Sequence, residues 1–219
     1  IIERHHIEKT QELEDLVNIL ASAIGSLTNV PKIESTFRSV LQSKISGNTI
    51  RQYIEYLEDA FIIHKANRYN VKGRKYIGTP VKYYFEDVGL RNARLGFRQV
   101  EETHLMENII YNELRSRGYA VDVGIVEKRK KDASGKAERK QLEIDFVANK
   151  GSQRYYIQSA FAMPDEHKQK QEKMSLLQVK DSFKKIIVVK DVVNVLRDEN
   201  GITTMSVYDF LLKDNSLEL

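Results

Sequence analysis

Cysteine and tryptophan are absent from this 219-residue chain, and there are only three prolines. Without Cys there is no disulfide framework, no thiolate zinc site, no iron–sulfur cluster and no cysteine nucleophile. No apolar run approaches the roughly 18 residues of a membrane span, and no signal-peptide core stands near the start. A cytoplasmic protein without membrane contact is the expectation. No internal repeat or low-complexity tract appears. A chain that is 41% hydrophobic and 30% charged is neither a disordered tail nor a coiled-coil rod. It has room for one large domain or two small ones, each with a real core.

Charge is present but uneven. The formal net charge is +4. Residues 62–98 hold nine Lys/Arg against only Glu86 and Asp87. Such clustering suits a phosphate backbone, with surface solubility as the plain alternative.

Hydrophobic periodicity divides the chain. Leu13, Leu16, Val17, Leu20 and Leu27 share one face of a helix over 11–27, and Pro31 suits the first turn of a second over 31–42. Ser46 to Thr49 offer caps for a third over 47–60. FIIHKANRYN (61–70) reads as a strand, 71–79 as a basic turn and VKYYFED (81–87) as the returning strand. Three helices and a basic-tipped hairpin make the order of a winged helix over 11–87. Its third helix would offer Asn48, Thr49, Arg51 and Gln52 to DNA, and its wing Arg68, Lys72, Arg74 and Lys75 to phosphates. Winged helices also serve as protein-interaction modules, and Glu55, Glu58 and Asp59 on that helix would repel DNA. Residues 88–100, with Gly89 and Gly96, read as a linker.

A second, α/β domain is expected over 101–214. Its order is a helix (102–118), strands at 119–127, 141–149 and 153–161, a polar helix (164–179), a buried strand (183–191), a hairpin around Asn200-Gly201 and a closing helix. Residues 128–140 read as a charged loop around Ser134-Gly135.

Acidic residues supply the candidate chemistry. Glu107 lies on the helix, and Glu143 and Asp145 lie two apart on one strand, so they share a face. Gln158 lies on the next strand. Glu107 and Asp145 are the candidate ligands for Mg²⁺, a hard cation that takes oxygen donors. Such an ion activates water and polarises a phosphodiester. Helix Glu, strand Asp and a third-strand (D/E/Q)-x-K make the PD-(D/E)xK, or restriction-endonuclease-like, order. Here Glu107, Asp145 and Gln158 fill it, but Ala160 stands where the lysine belongs. That lysine stabilises charge developing on phosphate; substitutes at Lys150 or Lys168 are open in principle. His104, three residues before Glu107, is either a metal neighbour or a packed helix-start residue. His5-His6 reads as solvated, and Tyr83-Tyr84 and Tyr155-Tyr156 as strand packing.

Several stretches together resemble the C-terminal half of a prokaryotic AAA-type ATPase family, in which an ATPase domain precedes a winged helix and a nuclease-like domain. They are IIERHHI (1–7), residues 48–75, KYYFEDVGLRNARLGF (82–97), EETHLMENIIYNELRSRGYAVDVG (101–124), EIDFVANKG (143–151), YYIQSA (155–160) and DFLL (209–212). The resemblance implies that residues 1–10 end a preceding ATPase domain and that ATP belongs to that domain. No GxxxxGK[ST] loop occurs in this chain; Ser134-Gly135-Lys136-Ala137 lacks its spacing glycine and terminal hydroxyl.

The preferred expectation is a regulatory half that binds DNA or a protein partner, without a cofactor of its own and with a degenerate nuclease-like domain. Two alternatives stand beside it. One is an active Mg²⁺-dependent DNA nuclease. The other is a protein-interaction module of a defence or toxin–antitoxin-like system.

Overall fold

A computed structural model describes residues 1–131, 137–191 and 193–219. The fold is mixed α/β, with seven α-helices and one eight-stranded mixed sheet among the described residues. The helices are α1 (Thr10–Ser22), α2 (Val30–Ser39), α3 (Gly47–Asp59), α4 (Val88–Arg94), α5 (Glu102–Ser116), α6 (Glu166–Leu176) and α7 (Val207–Leu212). The strands are β1 (Ile63–Asn70), β2 (Lys75–Phe85), β3 (Ala120–Lys131), β4 (Ala137–Lys150), β5 (Gln153–Ala160), β6 (Lys184–Val189), β7 (Leu196–Arg197) and β8 (Ile202–Ser206). Their hydrogen-bonded order is β2-β1-β3-β4-β5-β6-β8-β7. The chain divides into two units, residues 1–66 with 78–108 and residues 67–77 with 109–219.

In the first unit, three short helices bury one face each. Leu13, Leu16 and Leu20 of α1, Ile33 and Phe37 of α2, and Ile50, Ile54 and Leu57 of α3 form the core with Tyr84 and Phe85 of β2. The caps are those the sequence offers. Asn29 Oδ1 accepts from Lys32 N, and Ser46 Oγ accepts from Thr49 N, each satisfying a helix-end donor. α1 stops at Ser22, five residues short of the expected end, because Gly25 turns left-handed at φ +69°. A single antiparallel bridge joins Thr28, between α1 and α2, to Val81 of β2.

Residues 88–100 are not the plain linker expected. Asp87 Oδ1 caps α4 by accepting from Leu90 N, and Arg91 is fully buried. Its guanidinium donates to the Ala21 carbonyl at 2.9 Å and the Gln99 carbonyl at 2.5 Å, so it ties α1 and the segment after α4 together.

The second unit differs from expectation at two places. The hairpin tip, 67–77, groups with it, because β1 runs parallel to β3 with Arg68 opposite Val123 and Asn70 opposite Ile125. The strands of the two segments therefore do not form two separate sheets, as an independent domain over 11–87 would require. The charged stretch 128–140 is largely strand. β3 continues to Lys131 and β4 begins at Ala137, while Ser134-Gly135, the centre of the expected loop, lies outside the described residues. Val192, in the segment before β7, also lies outside them.

β3, β4 and β5 are antiparallel neighbours, and β5, β6 and β8 run parallel. A parallel pair needs a crossover, and α6 supplies the one between β5 and β6. Val126, Ile144, Val147, Tyr156, Leu176, Val179, Ile187 and Ile202 form one core cluster. Tyr111 of α5 packs on Phe146, ring centroids 6.2 Å apart.

Candidate functional site

Glu107 falls in the first unit, and Asp145 and Gln158 in the second. The Glu107 carboxylate is buried and engaged. Oε1 accepts from Lys82 Nζ at 2.9 Å and from the Tyr84 hydroxyl at 2.5 Å. Lys82 is only 3% exposed, so the pair is a buried ion pair, each charge needing the other. Both cationic and phenolic partners come from β2, where alternate residues share a face. On the other carboxylate oxygen, His104 Nδ1 stands 4.0 Å from Oε2. Gly25 fits against both: a Cβ there would lie 2.8 Å from His104 Nδ1 and 3.1 Å from Glu107 Oε2.

Asp145 sits at a register shift. Asp122 pairs with Val147 and Gly124 with Ile144, so two residues of β4, Asp145 and Phe146, oppose the single Val123. An extra residue of this kind re-aims side chains, and strict alternation no longer assigns Glu143 and Asp145 to one face. Gly124 is required beside it, since a Cβ would meet Val147 Cγ2 at 2.8 Å and Ile144 Cβ at 3.0 Å. Asp145 is buried and accepts from the Ser159 backbone N–H at 2.8 Å. The expected approach of Asp145 to the third strand is thus present, made through the backbone beside Gln158.

Gln158 points toward α6, where Ser175 Oγ donates to its Oε1 at 3.4 Å. It lines a cleft of about 580 Å³ together with Lys140, Glu143, His167, Lys170 and Glu172. Two residues on, Ala160 is 2% exposed and packs in the core cluster with Leu176 and Val179. A lysine at that position would have to enter an apolar, filled space, so the absent lysine is matched by the packing. Neither substitute from elsewhere is at hand. Lys150 Nζ donates to the Arg117 carbonyl at 2.7 Å, and Lys168 pairs with Glu172 at 2.6 Å.

This donor set suits Mg²⁺ poorly. Among the described residues no group of three or more His, Asp or Glu side chains is placed to hold a metal. The Glu107 carboxylate is already neutralised by an ammonium, and Gln158 brings no charge. A hard dication draws its affinity from several anionic oxygens.

The residues expected to meet DNA divide likewise. On α3, Asn48, Arg51 and Gln52 are exposed while Thr49 is half-buried. Arg51 donates to Asn48 Oδ1 at 2.7 Å, Gln52 to the Tyr56 hydroxyl at 2.6 Å, and Thr49 shares a hydrogen bond with Ser46. The Tyr56 ring stacks on His5 at 3.6 Å, so His5 is a packed residue and not a solvated one. On the hairpin, Lys72, Arg74 and Lys75 are exposed and take part in no ion pair among the described residues. Arg68 is half-buried and donates to Gln141 of β4 at 3.3 Å.

Sequence reasoning missed Lys82 and Arg91. A lysine inside the run VKYYF carries no signal of burial, because Lys is almost never fully buried unless paired and its partner is 25 residues away.

Comparison with known proteins adds relatives. Residues 1–101 match the model of a domain of unknown function, DUF8612. Over 213 residues the chain is 33% identical to an uncharacterized protein of Haemophilus influenzae, covering 97% of this chain and 49% of that protein. It is 27% identical over 181 residues to an uncharacterized protein of Methanocaldococcus jannaschii, covering 83% of this chain and 38% of the relative. The chain therefore spans about half the length, or less, of the curated relatives it matches. No solved structure matches it. No helix among the described residues is long and apolar enough to cross a membrane. The chain is similar to part of longer proteins, one bacterial and one archaeal, and its first 101 residues match the DUF8612 model.

Proposed function

We propose that this chain is a DNA-binding module with a nuclease-like α/β unit that recognises and does not cut. The observation that carries the reading is the hairpin turn, where Lys72, Arg74 and Lys75 are exposed and unpaired by any acid among the described residues. Cations held this way release counterions from a phosphate backbone on binding. Three helices, the Thr28–Val81 bridge and a hairpin follow the order of a winged helix, whose third helix and wing meet DNA. The order α5-β3-β4-β5-α6-β6 follows the restriction-endonuclease-like core.

Three features argue for recognition without cleavage. Lys82 neutralises Glu107, Asp145 is turned to a backbone amide, and core packing fills the space around Ala160. By its resemblance the module belongs to the C-terminal half of an AAA-type ATPase, and relatives extending well beyond the matched region leave room for such a domain. ATP binding and turnover would lie in that additional domain.

The test places binding and cutting in one experiment. The chain is expected to retard plasmid and linear duplex DNA in a gel at low salt, and to leave both uncut with Mg²⁺ or Mn²⁺. Asp145→Ala serves as the contamination control. Metal-dependent cutting that disappears in that variant would replace this reading with the nuclease.

A further inference from the structure

Tyr76, the second residue of β2, is the most exposed of the eleven tyrosines, at 64%. A ring left in water forgoes the burial that stabilises most aromatic side chains. Tyr76 is nevertheless held in place. Its hydroxyl donates to Oδ2 of Asp122 at 3.1 Å, and Asp122 is buried. Its ring meets Tyr69 edge-on, with centroids 5.5 Å apart and planes at 65°. Tyr69 is fixed in turn by Arg154, whose guanidinium lies 5.5 Å from its ring centroid and donates to Asn149 Oδ1 at 2.7 Å. All of these residues belong to the second unit.

A tyrosine side chain has two torsions. The hydroxyl bond and the edge contact restrain both, so a partner that meets the ring face costs it little further freedom. The surroundings of the ring select that partner. Lys75 directly precedes Tyr76, and Lys72 and Arg74 stand in the turn before it, all three exposed. Cations beside an aromatic face match a nucleotide, whose base has a π face and whose phosphates carry charge. Inside a duplex each base is covered by its stacked neighbours. An unpaired base has a face to offer.

We infer that Tyr76 is a stacking platform for an unpaired nucleobase, so that the basic turn engages DNA most tightly where single strand adjoins duplex. The platform rests on DNA being the partner of the turn. Stacking needs no hydrogen bond to a base edge, so it adds affinity for unpaired strand with little sequence preference. Asp122 and Tyr69 are positioning residues that hold the ring for the base.

The experiment is fluorescence anisotropy of the full chain at low salt on labelled duplexes of three kinds. One is blunt, one carries a single-stranded tail of about 10 nucleotides, and one carries an abasic tail of the same length. The abasic tail keeps the phosphates and removes the bases. The wild type is expected to bind the normal tail more tightly than the abasic one. Tyr76→Ala is expected to bind the normal tail about 5- to 150-fold more weakly, the loss that one stacked base brings. It is expected to bind the blunt and abasic-tailed duplexes as the wild type does, which also shows that the variant is folded. Tyr76→Phe keeps the ring face and is expected to keep most of the preference. Equal binding of normal and abasic tails by the wild type, or a preference that survives in Tyr76→Ala, would overturn the platform and leave duplex binding in place. No binding of any of these DNAs by the wild type would remove the DNA reading and the platform with it.

Discussion

Lys82 and Glu107 show how a single pair sets what a site can do. Taking both charges from water costs several kcal/mol per ion, and their mutual attraction at 2.9 Å, helped by the Tyr84 hydroxyl, offsets it. Removing only the cation leaves a buried, uncompensated carboxylate. Lys82→Met is expected to cost about 3–5 kcal/mol of unfolding free energy in urea titrations. The double variant Lys82→Met/Glu107→Leu is expected to recover much of that loss. A single variant as stable as the wild type would mean that Glu107 is not held by this pair. Glu107 was legible in the sequence as an acid on a helix. Its partner was not, because a buried ion pair between segments 25 residues apart leaves no periodic trace. Arg91 was hidden for the same reason. Burial lowers its guanidinium pKa, while Glu101 opposes that shift, and nothing in VGLRNAR marks the arginine as the inward residue.

Secondary-structure elements were readable where apolar periodicity or capping chemistry is strong. α2, α3 and α5, and the strands β5 and β6, stand close to their expected places. α4 was missed because Gly89 and Gly96 resemble linker residues, although Asp87 is an ordinary N-cap. The ends of β3 and β4 within 128–140 were missed because a run of charged residues produces no hydrophobic alternation. The register shift at Asp145 also has no signature beyond Gly124, whose missing side chain admits Val147 and Ile144.

The β7–β8 hairpin, by contrast, was readable from Asn200-Gly201, and Gly201 has φ +73°. Asp198 holds that turn: its Oδ1 accepts from Asn200 N at 3.0 Å and Ile202 N at 2.9 Å, and Lys173 pairs with Oδ2 at 2.8 Å. Burial pushes its carboxyl pKa up, but Lys173 and the two amides outweigh burial and hold it below the ordinary value. A lowered acid contributes stability above its unfolded pKa, near 4, and loses it as pH falls through the folded value. Asp198→Asn is therefore expected to lower the thermal midpoint at pH 7, with the difference shrinking toward pH 3. An equal difference at both pH values would show that the charge of Asp198 does not matter.

At the scale of the whole molecule, the sequence order three helices, hairpin, helix, three strands, helix and strand was legible apart from α4. The division between units was not. Parallel pairing of Arg68–Asn70 with Val123–Ile125 joins segments more than 50 residues apart, and only the fold reveals it. That pairing transfers the hairpin tip, with Lys72, Arg74 and Lys75, from the helical unit to the α/β unit. The cations expected on a wing thus belong to the α/β unit. The chain's modest net charge of +4 conceals this local excess, and local charge sets phosphate binding.

The most direct test of the account is the salt dependence of duplex binding by the full chain and by the variant Lys72→Gln/Arg74→Gln/Lys75→Gln. The wild type is expected to bind with little sequence preference, its logarithmic affinity falling linearly with the logarithm of salt concentration. The triple variant is expected to bind more weakly, with a slope smaller by up to about 2.7, or about 0.9 for each lost phosphate contact. Identical affinities and slopes for the two proteins would contradict the account, because the exposed turn would then make no contact with DNA.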